Sequence, residues 1–88
     1  MNEEQFRQQL QEHGYGDVRV IEFEPDNDAE IHTHNFSAMV MVTRGELTLV
    51  YEDGPVTYGP GDWCEVAAGT QHAEYSGPNG ATALAGTK

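Results

Sequence analysis

Ile31-His32-Thr33-His34-Asn35-Phe36-Ser37-Ala38-Met39-Val40-Met41-Val42-Thr43-Arg44-Gly45 sets two imidazoles at alternate positions ahead of an apolar run. Gly69-Thr70-Gln71-His72 supplies a third imidazole thirty-eight residues after the second. On a strand, residues i and i+2 share a face, so His32 and His34 can aim at one point. His72, brought in on a neighbouring strand, completes a candidate metal site.

The residues around this frame predict a β unit. Strands are expected near 18–24, 29–34, 37–43, 46–52, 56–58, 63–67, 71–75 and 81–85, separated by turn-forming residues. The separators are Pro25-Asp-Asn-Asp28, Arg44-Gly45, Asp53-Gly54-Pro55, Gly59-Pro-Gly-Asp62, Ala68-Gly69 and Ser76-Gly-Pro-Asn-Gly80. Eight short strands at this spacing argue for an all-β sandwich or barrel. Alternation along 37–43 turns Ala38, Val40 and Val42 one way and Met39 and Met41 the other, so that strand should be covered on both faces. Ahead of the strands, Asn2-Glu-Glu-Gln5 has capping-box form, Phe6 and Leu10 lie one helical turn apart, and Gly14 can end a helix. One short α-helix is expected from Glu3 to His13.

The 88 residues fit a single domain spanning 1–88, which buries roughly 60 to 65% of its unfolded surface. A bound metal or a second subunit would add stability to so modest a core. Four Lys and Arg against fifteen Asp and Glu give a formal charge of -11, with no basic cluster to contact phosphates, so nucleic acid is not an expected partner. No apolar run approaches the roughly 20 residues of a membrane span, and acidic residues follow Met1. The chain reads as soluble and cytoplasmic, without membrane association. Its one cysteine, Cys64, excludes an internal disulfide and suits a reducing compartment.

His32-Thr33-His34 followed by Gly45, then Gly61-Asp62 leading to Ala68-Gly69-Thr70-Gln71-His72, resembles the two signature motifs of the cupin superfamily, as a small single-domain member. The resemblance covers about Ile31 to Ser76. It implies an antiparallel jelly-roll barrel, with His32, His34 and His72 holding a divalent transition metal such as Fe, Zn, Ni, Mn or Cu inside it. The family pattern places a glutamate ligand where this chain has Ala38, a proline where it has Ala67, and an asparagine where it has Ser76. Ala38 matters most, because a methyl group neither coordinates nor neutralises a cation. Three neutral imidazoles leave a metal its full double positive charge, which favours anionic or chelating molecules and polarises a bound oxygen. A similar three-histidine arrangement occurs in the thiol dioxygenase branch of the cupins. The alternative is a degenerate site that has dropped a ligand.

Further candidates lie nearby. Glu74 shares a strand face with His72 and is the nearest acidic group for a supporting carboxylate or general base, although a solvated strand-end charge is its ordinary role. Tyr75 could offer a phenol to a bound molecule, whereas Tyr51 and Tyr58 read as packing. Cys64 should face the interior as a small apolar residue. Trp63 should lie on the outer face, where it could anchor a subunit interface or pack under the helix, a role that Met39 and Met41 could share. Val40, Val42, Leu49 and Val66 would form the apolar wall of the cavity. His13 needs only the favourable end of the helix dipole.

Two functions are consistent with these residues. One is a small metal-dependent enzyme, of dioxygenase or isomerase type, acting on a small polar or anionic metabolite; the other is a non-catalytic small-molecule-binding or sensor protein. Exposed edges on so small a β unit also suggest a homodimer.

Overall fold

The computed structural model describes residues 1–26 and 28–88. Asn27, within the turn expected over 25–28, lies outside the described residues, as do the side chains of Asp28 and Ala29. Helix α1 (Glu3–Glu12) precedes six strands: β1 (Gly16–Phe23), β2 (Asp28–His32), β3 (Ala38–Tyr51), β4 (Gly54–Tyr58), β5 (Trp63–Val66) and β6 (His72–Thr87).

Helix α1 starts where the capping box predicts. The Asn2 side chain accepts from the Gln5 amide at 2.8 Å, and the Gln5 side chain accepts from the Asn2 amide at 3.0 Å. Its end comes one residue before the expected His13, which is the C-cap. Gly14 takes φ +77°, its amide donates to Gln11, and the Tyr15 amide donates to Leu10 at 2.8 Å. This is a Schellman closure, with Tyr15 and Leu10 meeting in the same core cluster.

All six strands join one sheet, in the path β1-β6-β3-β4, with β2 beside β6 and β5 beside β3. Pairing registers show the sheet doubled into two four-stranded leaves. In one, β1 pairs with 81–87 of β6, which pairs with 38–45 of β3, which pairs with β5. In the other, β2 pairs with the first residues of β6, which pair with 47–50 of β3, which pairs with β4. The eight expected strands are therefore present as six elements, because β3 and β6 each run through both leaves. The breaks expected at Arg44-Gly45 and over 76–80 are bends within continuous strands, marked by register shifts between Val42 and Arg44 and between Gly45 and Leu47. Two glycines make the bend possible. A Cβ on Gly45 would lie 2.1 Å from the Gly80 carbonyl oxygen, and one on Gly80 would lie 2.6 Å from that of Phe23. This is the jelly-roll architecture, with one short helix outside it.

Two apolar clusters hold the sheet. On its outer face Met39, Met41 and Leu84 pack with Phe6, Leu10 and Tyr15, so the two methionines lie under the helix. Full burial of Phe6 or Leu10 contributes about 1.5 to 3 kcal/mol each. Between the leaves, Val42, Leu47, Leu49, Val66 and Ala81 form the second cluster, joined by partly buried Phe23, Tyr51, Tyr58 and Cys64. Trp63 stays on the outside and is exposed. Among the described residues, no helix is long and apolar enough to cross a membrane.

Candidate metal centre

The two leaves enclose a cavity of about 400 Å³. His32 at the end of β2 and His72 at the start of β6 are direct cross-strand partners. His34 lies two residues beyond the end of β2, not within the strand as its spacing suggests. Its position is fixed by its own carbonyl, which accepts from the Gly69 amide at 2.9 Å, and by its ring, which stacks on Phe36 at 4.7 Å between centroids. The three imidazoles converge, with ring centroids 4.5 Å apart for His32 and His72, 4.8 Å for His32 and His34, and 5.4 Å for His34 and His72.

Glu74 joins them. Its Oε1 lies 3.4 Å from Nε2 of His72 and 3.6 Å from Nε2 of His32, and its side chain is 22% exposed. Nitrogen and carboxylate donors of His32, His34, His72 and Glu74 all fall within 4.8 Å of one another. Metal bonds of about 2.1 Å separate opposite ligand atoms by about 4.2 Å, so small side-chain rotations would close these four on one ion. The set could hold a metal.

The backbone orients two of the rings. Nδ1 of His32 is 2.7 Å from the Glu30 carbonyl oxygen, and Nδ1 of His72 is 3.0 Å from that of Thr70. A carbonyl oxygen only accepts, so each Nδ1 carries a proton and each ring turns its Nε2 toward Glu74. Both Nε2 atoms thus face the Glu74 carboxylate at distances longer than a good hydrogen bond. The His34 pKa is held below its ordinary value, first by burial and then by the charges that His32 and His72 acquire on protonation, with Glu74 opposing.

Ala38 lines the cavity, as its place in the motif implies, and leaves its floor without a carboxylate from β3. The nearest acidic group comes from β6: Glu74, expected as a supporting carboxylate beside the three histidines, is close enough to join them as a fourth possible donor. Of the four wall residues anticipated, Val40, Leu49 and Val66 line the cavity. Val42 does not: adjoining the bend, it is buried in the cluster between the leaves. Leu47 and Phe36 line the cavity without having been expected to. So does Arg19, whose period-two spacing with Ile21 and Phe23 was the available signal.

Tyr75 is 41% exposed and does not reach the cavity; one residue beyond Glu74, it falls on the opposite strand face. Cys64 does turn inward, where burial pushes its thiol up while hydrogen bonds with Tyr51 and Tyr58 act the other way. Burial likewise raises both phenols. The His13 ring bonds to Gln9, at 3.1 Å, on the exposed helix end.

Comparisons with known proteins agree with this architecture. The cupin domain family matches residues 19–77. A Rhizobium leguminosarum protein of unknown function superposes with a TM-score of 0.75 at 21% identity, over 80% of this chain and 66% of that one. A Silicibacter pomeroyi sugar phosphate isomerase of the cupin superfamily gives 0.61 at 23% identity, over 81% and 49%. The polyketide cyclase RemF of Streptomyces resistomycificus gives 0.67 at 22% identity, over 80% and 52%. This chain thus spans less than two thirds of the length of each. Comparison with curated protein sequences gives no match. The family match covers the paired histidines, the third histidine and most of the strands between which they sit: the chain belongs to the cupin domain family.

Proposed function

We propose that His32, His34, His72 and Glu74 bind one divalent transition metal, and that the cavity beside them holds a small polar or anionic molecule for a metal-dependent reaction. The observation that carries this reading is the convergence of three imidazoles and one carboxylate, whose donor atoms lie within 4.8 Å of one another, with Oε1 of Glu74 at 3.4 and 3.6 Å from two Nε2 atoms. Four donors gathered this closely are stabilised by a positive charge among them; a proton on one Nε2 would serve a single imidazole–carboxylate contact, whereas a metal would serve all four at once. A bound divalent metal would supply Lewis acidity toward an oxygen of the bound molecule. The chain's own contribution is orientation and exclusion of water. The Glu30 and Thr70 carbonyls keep protons on Nδ1 of the two rings, and Val40, Leu49 and Val66 wall the cavity with apolar surface. Reactions of dioxygenase or isomerase type suit such a site.

Protein purified without added metal or chelator should carry about one equivalent of divalent metal by elemental analysis, and His72→Ala should lose it. Absence of metal from the wild-type protein would sink the proposal. A non-catalytic binding role is the second reading. It is favoured by the sparse polar lining beyond His34, His72 and Glu74, which is limited to Arg19, Thr70 and Thr87 and offers few groups to move a proton. Dioxygen with thiols and diketones, and separately sugar derivatives, separate the two: turnover supports the enzyme, and binding without turnover supports the module. Homodimerisation, proposed from the exposed sheet edges, is checked by solution mass.

A further inference from the structure

Four permanent cations stand against fifteen acidic side chains in this protein, and three of the four are engaged. Arg7 pairs with Glu3 at 3.5 Å. Arg44 lies 3.8 Å from Glu22 and donates to the Asn79 carbonyl at 3.0 Å. Lys88 donates to the His13 carbonyl at 2.9 Å and sits 4.6 Å over the Tyr15 ring. Arg19 alone makes no ion pair or side-chain hydrogen bond among the described residues.

Its location gives that freedom meaning. Arg19 lines the cavity on the same face of β1 as Ile21 and Phe23, and it is the exposed member of the three. The guanidinium therefore belongs to the solvent-accessible part of the cavity, whose lining also includes apolar Ile21, Phe23, Val40 and Leu49. A net charge of -11 repels small anions from the surface at large. At the floor, Glu74 removes one of the two positive charges that a divalent metal would bring, so the floor attracts an anion less than three neutral histidines would. The remaining uncompensated cation in the cavity is Arg19.

We infer that Arg19 is the specificity-determining residue of this cavity. It grips the oxyanion, carboxylate or phosphate, at the far end of a small organic molecule whose opposite, oxygen-bearing end meets the His32, His34, His72 and Glu74 donors and whose middle is apolar. The inference rests on the metal-centre reading for the second contact and on the Arg19 environment for the first. A planar guanidinium presents paired N–H donors that match either oxyanion, and a charge-assisted pair in a partly desolvated cavity selects for charge.

Alkyl hydroxamates, which chelate divalent metals through two oxygens, provide the probe. Metal-loaded protein is titrated calorimetrically with neutral hydroxamates and with the same chains ending in carboxylate or phosphonate, over a series of chain lengths. At the best length the anionic probe should bind about tenfold more tightly than the neutral one, and added salt should shrink the difference. Arg19→Gln should abolish the advantage and Arg19→Lys keep part of it, while neutral-probe affinity and metal content stay as in the wild type. The carboxylate and phosphonate arms identify which oxyanion is taken. An advantage that survives Arg19→Gln, or that is absent at every chain length in the wild type, overturns the inference. If the protein takes up no metal, the metal-centre reading is what fails. Arg19 is then judged on metal-free protein with hexanoate against hexanamide: a preference for the acid that Arg19→Gln removes supports its role, and equal binding overturns it.

Discussion

At position 38 a methyl group faces the cavity, and at position 74 a carboxylate reaches the histidines from another strand. If Glu74 is the acidic ligand, Glu74→Gln should lower divalent-metal affinity at least about tenfold in a competitive chelator titration. Ala38→Glu should still bind metal, yet weaken binding of the anionic hydroxamates by adding a second carboxylate beside them; unchanged or tighter binding would contradict this. Acid should strip the metal. Proton competition for imidazole begins below about pH 6.5, and His34, held below that value, stays unprotonated through the onset. The sign for folding follows from the same shift. A histidine with a lowered folded pKa stabilises the protein above 6.5, and that stabilisation is lost as the pH falls toward the folded value. The histidine trio was legible in the sequence because period-two spacing and the motif frame act locally. Glu74 was legible only as a face-sharing neighbour of His72. Its approach to His32 depends on the pairing of β2 with β6, which local sequence does not specify.

Strand breaks show the same limit at the next scale. Glycine-rich separators announce where regular pairing stops, but whether the chain reverses or merely bends depends on what lies opposite. Asp53-Gly54 does turn the chain, from β3 into β4. Arg44-Gly45 does not, because Gly80 of β6 faces it across the sheet and both strands continue past the contact. Gly45→Ala should therefore cost at least about 2 kcal/mol in denaturant unfolding, since a positive φ combines with a collision against backbone that no rotamer change relieves. The methionines of β3 were read correctly as facing away from the cavity, and the helix supplies their cover. Leu10→Ala would empty part of that cover and should cost about 2 to 5 kcal/mol.

At the scale of the whole molecule, helix, sheet and cavity are linked through a few long-range contacts. Tyr15, at the end of the helix closure, donates its hydroxyl to Glu65 on β5. Burial, aided by that hydrogen bond and the Glu65 charge, pushes its pKa up to about 12. Because the folded value lies above the ordinary 10, the contribution to stability is complete below pH 10 and is lost as the pH rises toward 12. Thermal melts should show that alkaline loss in the wild type, and Tyr15→Phe should flatten it. The jelly roll itself was legible from eight strand signals and three placed histidines, whereas the two-leaf passage of β3 and β6 was not. That passage has a consequence for the order of events in the cell. Among the described residues β6 is the only partner of β1 and of β2, it is central to both leaves, and it is the last of the six strands to be synthesised. While a ribosome is still translating it, β3 can pair with β4 and β5, but β1, β2 and the cover over Met39 and Met41 have nothing to complete them. The sheet must close after β6 has left the exit tunnel, and loading of the histidine cluster with any ion must wait for that closure.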